Sequence, residues 1–264
     1  MRKGTLKNVL MISYYFPPSG GSGVQRVLKY VKYLPQMGFR PIVLTVKEGS
    51  FDIEDKSLFL DIQDNVKVYR VPIFEPRRIY AFFQKKSSRF DKINKTDTIV
   101  NNKNKPLGKV SEWIRSNLFV PDSRMLWIPA AIRLGKQIIE KENISCIFSS
   151  SPPFTCSVIG KKLKQATRLP WINDIRDPWT NHAPLVKRSC LPLLLDRYLE
   201  RKSYEVCDVF HYAWKGIYDD IVKKYPHVNP NKSMWIPNGY DEDDFVTLPD
   251  SISKDIRRAL LNKK

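Results

Sequence analysis

The segment "LPWINDIRDPWTN" (169–181) sets Asp174, Arg176 and Asp177 within four positions, directly after an apolar run and before Pro178. Two carboxylates bracketing an arginine can supply a general base and its charge partner. The same residues can also form an ion pair that closes the turn before the proline. Asp177 and Asp174 are therefore the candidate catalytic groups.

A second constellation lies near the start, in "SYYFPPSGGSGVQR". Gly20, Gly21 and Gly23 fall where an apolar run passes into a run of helical period. Free backbone N–H groups and the positive end of a helix dipole would favour an anion at that junction. Arg26 follows closely, so the four residues are candidates for contacting a phosphate. Arg26 also stands where a dinucleotide fingerprint needs its third glycine, and no Gly-Lys-Ser/Thr follows, so neither that fingerprint nor a P-loop is present. The competing explanation is a structural turn that needs glycine. "SSSPPFT", with Ser150 and Ser151, follows another apolar run, and its hydroxyls either line a cleft or cap the next helix.

These clusters need elements to hold them. "NVLMISYY" and "PIVLTV" have the near-continuous apolar character of parallel strands buried on both faces. Between them Val24, Val27, Leu28, Val31 and Leu34 recur at helical spacing, and Gly38 follows the helix end. The alternation resumes later. "PAAIRLGKQIIEKEN", "FTCSVIGKKLKQA", "LPLLLDRYLERKSYEVC" and "KGIYDDIVKKY" read as helices, and "ISCIFSS", "PWINDI", "DVFHYA" and "SMWIP" as strands. The expected fold is α/β, a Rossmann-like, doubly wound, mostly parallel sheet. Asp174, Arg176 and Asp177 then fall at the carboxyl end of a strand, where such sheets place ligands.

The middle breaks the rhythm. Between Arg77 and Arg115, eleven Lys and Arg face three acidic residues, a surplus of +8 out of a net charge of +18. A basic insertion is expected over about 75–125, holding an amphipathic helix, "RRIYAFFQKKSSRFDK", that either rests on anionic lipid headgroups or stays solvated. The overall charge suits anionic partners, but no helix-turn-helix, zinc module or RNP-like pattern points to nucleic acid. No run approaches the ~18 apolar residues of a spanning helix, and a signal peptide is not expected at "MRKGTLKNVLMISYYF". Cys146, Cys156, Cys190 and Cys207 lack metal-site spacing and sit in or beside apolar runs, as reduced core cysteines do. A cytoplasmic location follows, with a peripheral position on the inner membrane face as an option.

"YYFPPSGGSGVQR", "VPDSRMLWIPAA", "SSSPPFT", "PWINDIRDPWTN" and "WIPNGYDEDDF" occur in an order and spacing that resembles the N-terminal half of retaining, GT-B fold bacterial glycosyltransferases of family 4. The resemblance runs from about Asn8 to Phe245. It implies a Rossmann-like, acceptor-side domain over 1–245, whose glycine loop approaches the diphosphate of a nucleotide sugar. Ser150, Ser151, Arg176 and Asn238 would then lie at the acceptor cleft. It further implies hexosyltransferase-type transfer to a cell-envelope, polysaccharide or lipid-linked acceptor, with no metal or other cofactor. Relatives often carry a histidine where Arg176 stands, which leaves the acceptor base open between Asp177 and Asp174. His211 reads as a core residue, and His182 and His227 as loop residues. In the family "WIPNGYDEDDF" leads into the nucleotide-binding domain, whereas the tail 246–264 is far shorter than the ~100 residues of a Rossmann domain. The expectation is half a transferase: a truncated product, a fragment, or a subunit completed in trans by a separate C-terminal domain. Alone, it is expected to transfer little or no sugar. The alternative is a non-catalytic remnant that binds a membrane or a partner.

Overall fold

The computed structural model describes residues 6–49, 51–73, 113, 116–181 and 188–244. Within them seven strands form one sheet: β1 (Lys7–Ile12), β2 (Phe39–Val46), β3 (Lys67–Val71), β4 (Ile144–Ser151), β5 (Trp171–Ile175), β6 (Val209–Tyr212) and β7 (Ser233–Trp235). Their order is β3-β2-β1-β4-β5-β6-β7, and every pairing is parallel. The doubly wound sheet expected from the sequence is present, and it is wholly parallel.

Among the described residues five long helices accompany the strands: α1 (Ser22–Tyr33), α2 (Ile128–Lys141), α3 (Thr155–Thr167), α4 (Cys190–Val206) and α5 (Lys215–Lys224). β1 makes the layering visible. Val9 and Met11 pack with Val24, Val27, Leu28 and Val31 of α1, whereas Leu10 and Ile12 join a second cluster with Ala131 and Ile138 of α2 and Ile159 and Leu163 of α3. Successive strand residues point to opposite faces, so a continuous apolar run fills both layers at once. Each such side chain contributes about 1.5–3 kcal/mol of burial. Right-handed crossovers running in opposite directions from the centre put α1 and α3 on opposite faces. The chain therefore reverses its winding between β1 and β4, and the crevice over a sheet of this kind opens at the carboxyl ends of those strands.

Two features differ from the sequence reading. β3 carries no continuous apolar run: in "KVYRV" the polar Lys67 and Arg70 leave only Val71 buried, as suits an edge strand. Cys190 is exposed at the first position of α4, not in the core, while Cys156 and Cys207 are buried and Cys146 is half-buried; all four are free thiols. The amphipathic helix expected over 77–92, and His182, lie outside the described residues.

Candidate functional site

The glycine turn stands at the carboxyl end of β1. The Gly20 amide donates to the Ile53 carbonyl at 2.9 Å, and the Asp55 amide donates to the Pro18 carbonyl at 2.8 Å, which pins the loop to the segment after β2. Gly21 is the residue that caps α1, with φ 82° and ψ −176°, a conformation essentially restricted to glycine. Gly21 has no side chain with which to cap α1, and no acidic residue stands in the helix's first turn. The positive end of the helix thus meets no carboxylate of its own first turn at the switch point, which is the electrostatic basis of anion binding at such turns.

Arg26, one turn further along α1, is fully engaged. Its Nε donates to both Asp174 carboxylate oxygens at 3.1 Å, and Nη2 donates to Oδ1 at 2.8 Å and to the Ile236 carbonyl at 2.9 Å. Nη1 donates to the Pro237 carbonyl at 3.1 Å and to Asn238 Oδ1 at 3.2 Å. All five guanidinium N–H groups thereby have acceptors. Burial opposes the charge, but the Asp174 hydrogen bonds and charge outweigh it and hold Arg26 above its ordinary pKa. Asp174 is fully buried and also accepts from Ser150 Oγ at 2.8 Å. The sequence set Arg26 beside a phosphate and Asp174 among the bases; the geometry engages these two residues with each other.

Arg176 makes a second tie. Its Nη1 donates to the Gly23 carbonyl at 2.7 Å, its Nη2 to the Pro152 carbonyl, and its backbone amide to the Ser151 carbonyl at 2.9 Å. It therefore links the first turn of α1 to the loop after β4. Burial lowers its pKa, with the charge of Asp174 opposing that shift. The neighbouring hydroxyls point inward: Ser151 Oγ lies 2.8 Å from Ser157 Oγ, and both Ser150 and Ser151 are buried. Asp177 differs from all of these. It is half-buried, and among the described residues no hydrogen bond or ion pair engages its carboxylate.

The loop bearing Asp177 is held from below by acidic residues of α4. Asp196 Oδ1 accepts from Trp179 Nε1 at 2.7 Å, and Glu200 Oε2 accepts from Thr180 Oγ1 at 2.6 Å and from the Tyr225 hydroxyl at 2.8 Å. Lys224 pairs with Glu200 at 2.8 Å, and Arg188 with Asp196 at 3.3 Å. Burial pushes the Asp196 carboxyl up to about 6 despite Arg188 and Trp179. Phe154 stacks on Trp179 with ring centroids 4.6 Å apart, completing the seat.

Sequence reasoning passed over these supports, and also Tyr15, Asp122 and Arg124. A Cβ on Gly23 would approach Tyr15 Cδ2 to 3.2 Å, which places the Tyr15 ring against the glycine turn. Asp122 accepts from the Thr155 amide at 2.9 Å and hydroxyl at 2.8 Å, capping α3. Arg124 lies over the Tyr14 ring at 5.1 Å. Asp122 and Arg124 fall inside "VPDSRMLWIPAA", so the signal was a motif whose individual residues had no visible partners. His211 is a core residue as expected, with Nδ1 3.9 Å from Asp174 Oδ1, and burial lowers its pKa. His227 is exposed and lies 3.0 Å from Glu205.

Beyond β7 the chain returns across α1. Asp241 binds Lys29 at 2.9 Å, Lys32 at 2.7 Å and the Tyr33 hydroxyl at 2.6 Å, while Lys29 also pairs with Asp244 and Asp61. A pocket of about 200 Å³ lined by Phe39, Arg40 and Asn65 opens at the amino-terminal edge of the sheet and shares no residue with this cluster. Among the described residues no group of three or more His, Cys, Asp or Glu could hold a metal ion, and no helix is long and apolar enough to cross a membrane.

The chain superposes on sucrose-phosphate synthase from Thermosynechococcus elongatus with a TM-score of 0.54 at 14% identity, over 98% of this chain and 53% of that one. The neighbouring structures are GT-B glycosyltransferases, and the Rossmann-like α/β fold of this chain matches theirs. Weaker likenesses include apo UGT2 of Phytolacca americana, with a TM-score of 0.47 at 10% identity over 89% of this chain and 52% of that one. UGT71G1 of Medicago truncatula, complexed with UDP-glucose, gives 0.46 at 8% identity over 88% and 51%. The chain spans about half the length of each. At these identities the likeness is one of fold. No protein-family model and no curated protein matches the sequence.

Proposed function

We propose that this chain is the acceptor-side domain of a GT-B glycosyltransferase of the family 4 kind, acting with a facing nucleotide-binding domain. It serves transfer of a sugar from a nucleotide-diphosphate donor to a cell-envelope, polysaccharide or lipid-linked acceptor at the inner face of the membrane. The observation that carries this is the uncapped start of α1 behind Gly21, set at the switch point with the Asp177 loop at the same edge of the sheet. Amides of the glycine turn neutralise charge developing on the departing diphosphate, a role that needs no resident metal. Asp177, whose carboxylate has no hydrogen bond or ion pair among the described residues, orients or deprotonates the acceptor hydroxyl. Asp174 acts at one remove: it fixes Arg26 and thereby the pose of α1. Arg176 keeps the glycine turn and the loop after β4 in register.

The test is donor binding and turnover in the polypeptide or assembly that carries the facing domain, with uridine, guanosine and adenosine diphosphate sugars compared. Gly21→Asp is expected to abolish donor binding, and Asp177→Asn to leave it intact while suppressing turnover. Unchanged activity in both variants would overturn the assignment.

A further inference from the structure

Helix α4 is built inside out. Its buried positions include Asp196 and Glu200, which reach the Asp177 loop, whereas Leu191, Leu194, Leu195 and Tyr198 are 79%, 55%, 48% and 49% exposed. Those four recur at i, i+3, i+4 and i+7, so they form one continuous outward stripe over two turns. Sequence periodicity alone would bury that stripe. Here the acidic side holds the site, and the apolar side is left in solvent.

More apolar surface adjoins it. The Ser189 amide and hydroxyl both donate to Asn117 Oδ1, at 2.7 and 2.6 Å, and Asn117 Nδ2 donates to the Trp113 carbonyl at 2.8 Å. This brings the segment of Leu118, 63% exposed, and Trp113, 56% exposed, to the start of α4. Contiguous exposed apolar surface of this kind marks an interaction site. The charge around it selects the partner. Arg197 has no ion pair among the described residues, and Arg201 and Lys202 share the single carboxylate of Glu205. The stripe therefore carries an uncompensated basic flank on a chain of net charge +18.

We infer that the outward face of α4, with Leu118 and Trp113, docks on an anionic lipid bilayer surface. The inference deepens the proposed function and rests on it for its purpose: a lipid-borne acceptor would meet the Asp177 loop, which Asp196 holds on the reverse side of the same helical turns. Leucines at the boundary of headgroups and acyl chains gain from leaving water, tyrosine and tryptophan suit that depth, and arginine and lysine meet phosphates above it. A protein partner or a second copy of the chain would be favoured by an apolar stripe with a charge-balanced rim, whereas here Arg197, Arg201 and Lys202 face the one carboxylate of Glu205.

The experiment is flotation of the purified chain with phosphatidylcholine vesicles, with and without phosphatidylglycerol, at low and high salt. Wild type is expected to float with the anionic vesicles only, and less so at high salt. The variant Leu191→Ser/Leu194→Ser/Leu195→Ser should lose roughly tenfold or more of its vesicle partition, with an unchanged circular dichroism spectrum. Arg197→Gln with Lys202→Gln should lower the partition and flatten its salt dependence. Independently of any substitution in the stripe, a fluorophore on the exposed Cys190 should be quenched by lipid-borne spin labels. Equal flotation of wild type and the leucine variant, or a wild-type dimer that ignores vesicles and is split by the leucine variant, would overturn the inference. Donor binding is unaffected by the stripe variant if both proposals hold, so loss of lipid binding and loss of the sugar-transfer assignment are separately visible.

Discussion

Arg26 and Asp174, 148 residues apart in sequence, meet in a buried two-pronged ion pair with contacts of 2.8 to 3.1 Å. Through it α1, the carboxyl end of β5 and the backbone carbonyls of Ile236 and Pro237 converge on one guanidinium. A charge pair of this kind is worth little against an apolar replacement of equal shape, but breaking it from one side is severe. Asp174→Ala should therefore lower unfolding free energy by ~3 kcal/mol or more, and Arg26→Met/Asp174→Leu should recover most of that loss in urea titrations. Additive losses in the double variant would contradict the pairing.

Gly21 tests backbone conformation apart from charge. Alanine at φ 82° and ψ −176° should cost about 1–3 kcal/mol, read as a lower melting temperature. Gly21→Asp adds a negative charge at the start of α1, so its donor affinity should fall well below that of Gly21→Ala at equal stability.

Asp196 imposes a pH dependence with a definite sign. Its folded pKa, about 6, lies above the usual carboxylate value, so its neutral form is the one the fold prefers. Its contribution to stability is complete below the unfolded pKa of about 4 and is lost as pH rises through about 6. Between pH 4 and pH 8, the stability of Asp196→Asn relative to wild type should rise by on the order of 3 kcal/mol. Parallel pH profiles for the two proteins would refute this.

The exit segment offers a fourth check. Hydrogen bonds from Lys32, Tyr33 and Lys29 hold the Asp241 carboxyl well below its usual range. Asp241→Asn should raise hydrogen exchange of amides 238–244 by roughly tenfold while leaving the strand amides protected.

Much of this architecture was legible in the chain itself. β1, β2 and β4 announced themselves because strands buried on both faces need unbroken apolar runs, and α1 because its three valines and Leu28 keep helical period. β3 stayed hidden because an edge strand half in solvent has no such run. At the site, the glycine turn was visible as composition, but the partner of Arg26 was not, since no local spacing encodes a contact across 148 residues. Ser150 and Ser151 were legible as positions at a strand end, but not as hydroxyls turned inward toward Asp174 and Ser157. α4 was recognisable as a helix, while its orientation was not: burial of Asp196 and Glu200 depends on Trp179 and Thr180, which only the fold brings to them.

The fastening of Asp241 and Asp244 onto Lys29 and Lys32 has a mechanical side. α1 is a stiff rod of roughly 18 Å, with the glycine turn at one end and the departing chain strapped to the other. Tension on the polypeptide beyond Asp244 is delivered first to the rod, by way of ion pairs and the Arg26 anchor, before it reaches the sheet. Pulling from that side in a force spectrometer would tug the glycine turn out of position before any strand gave way.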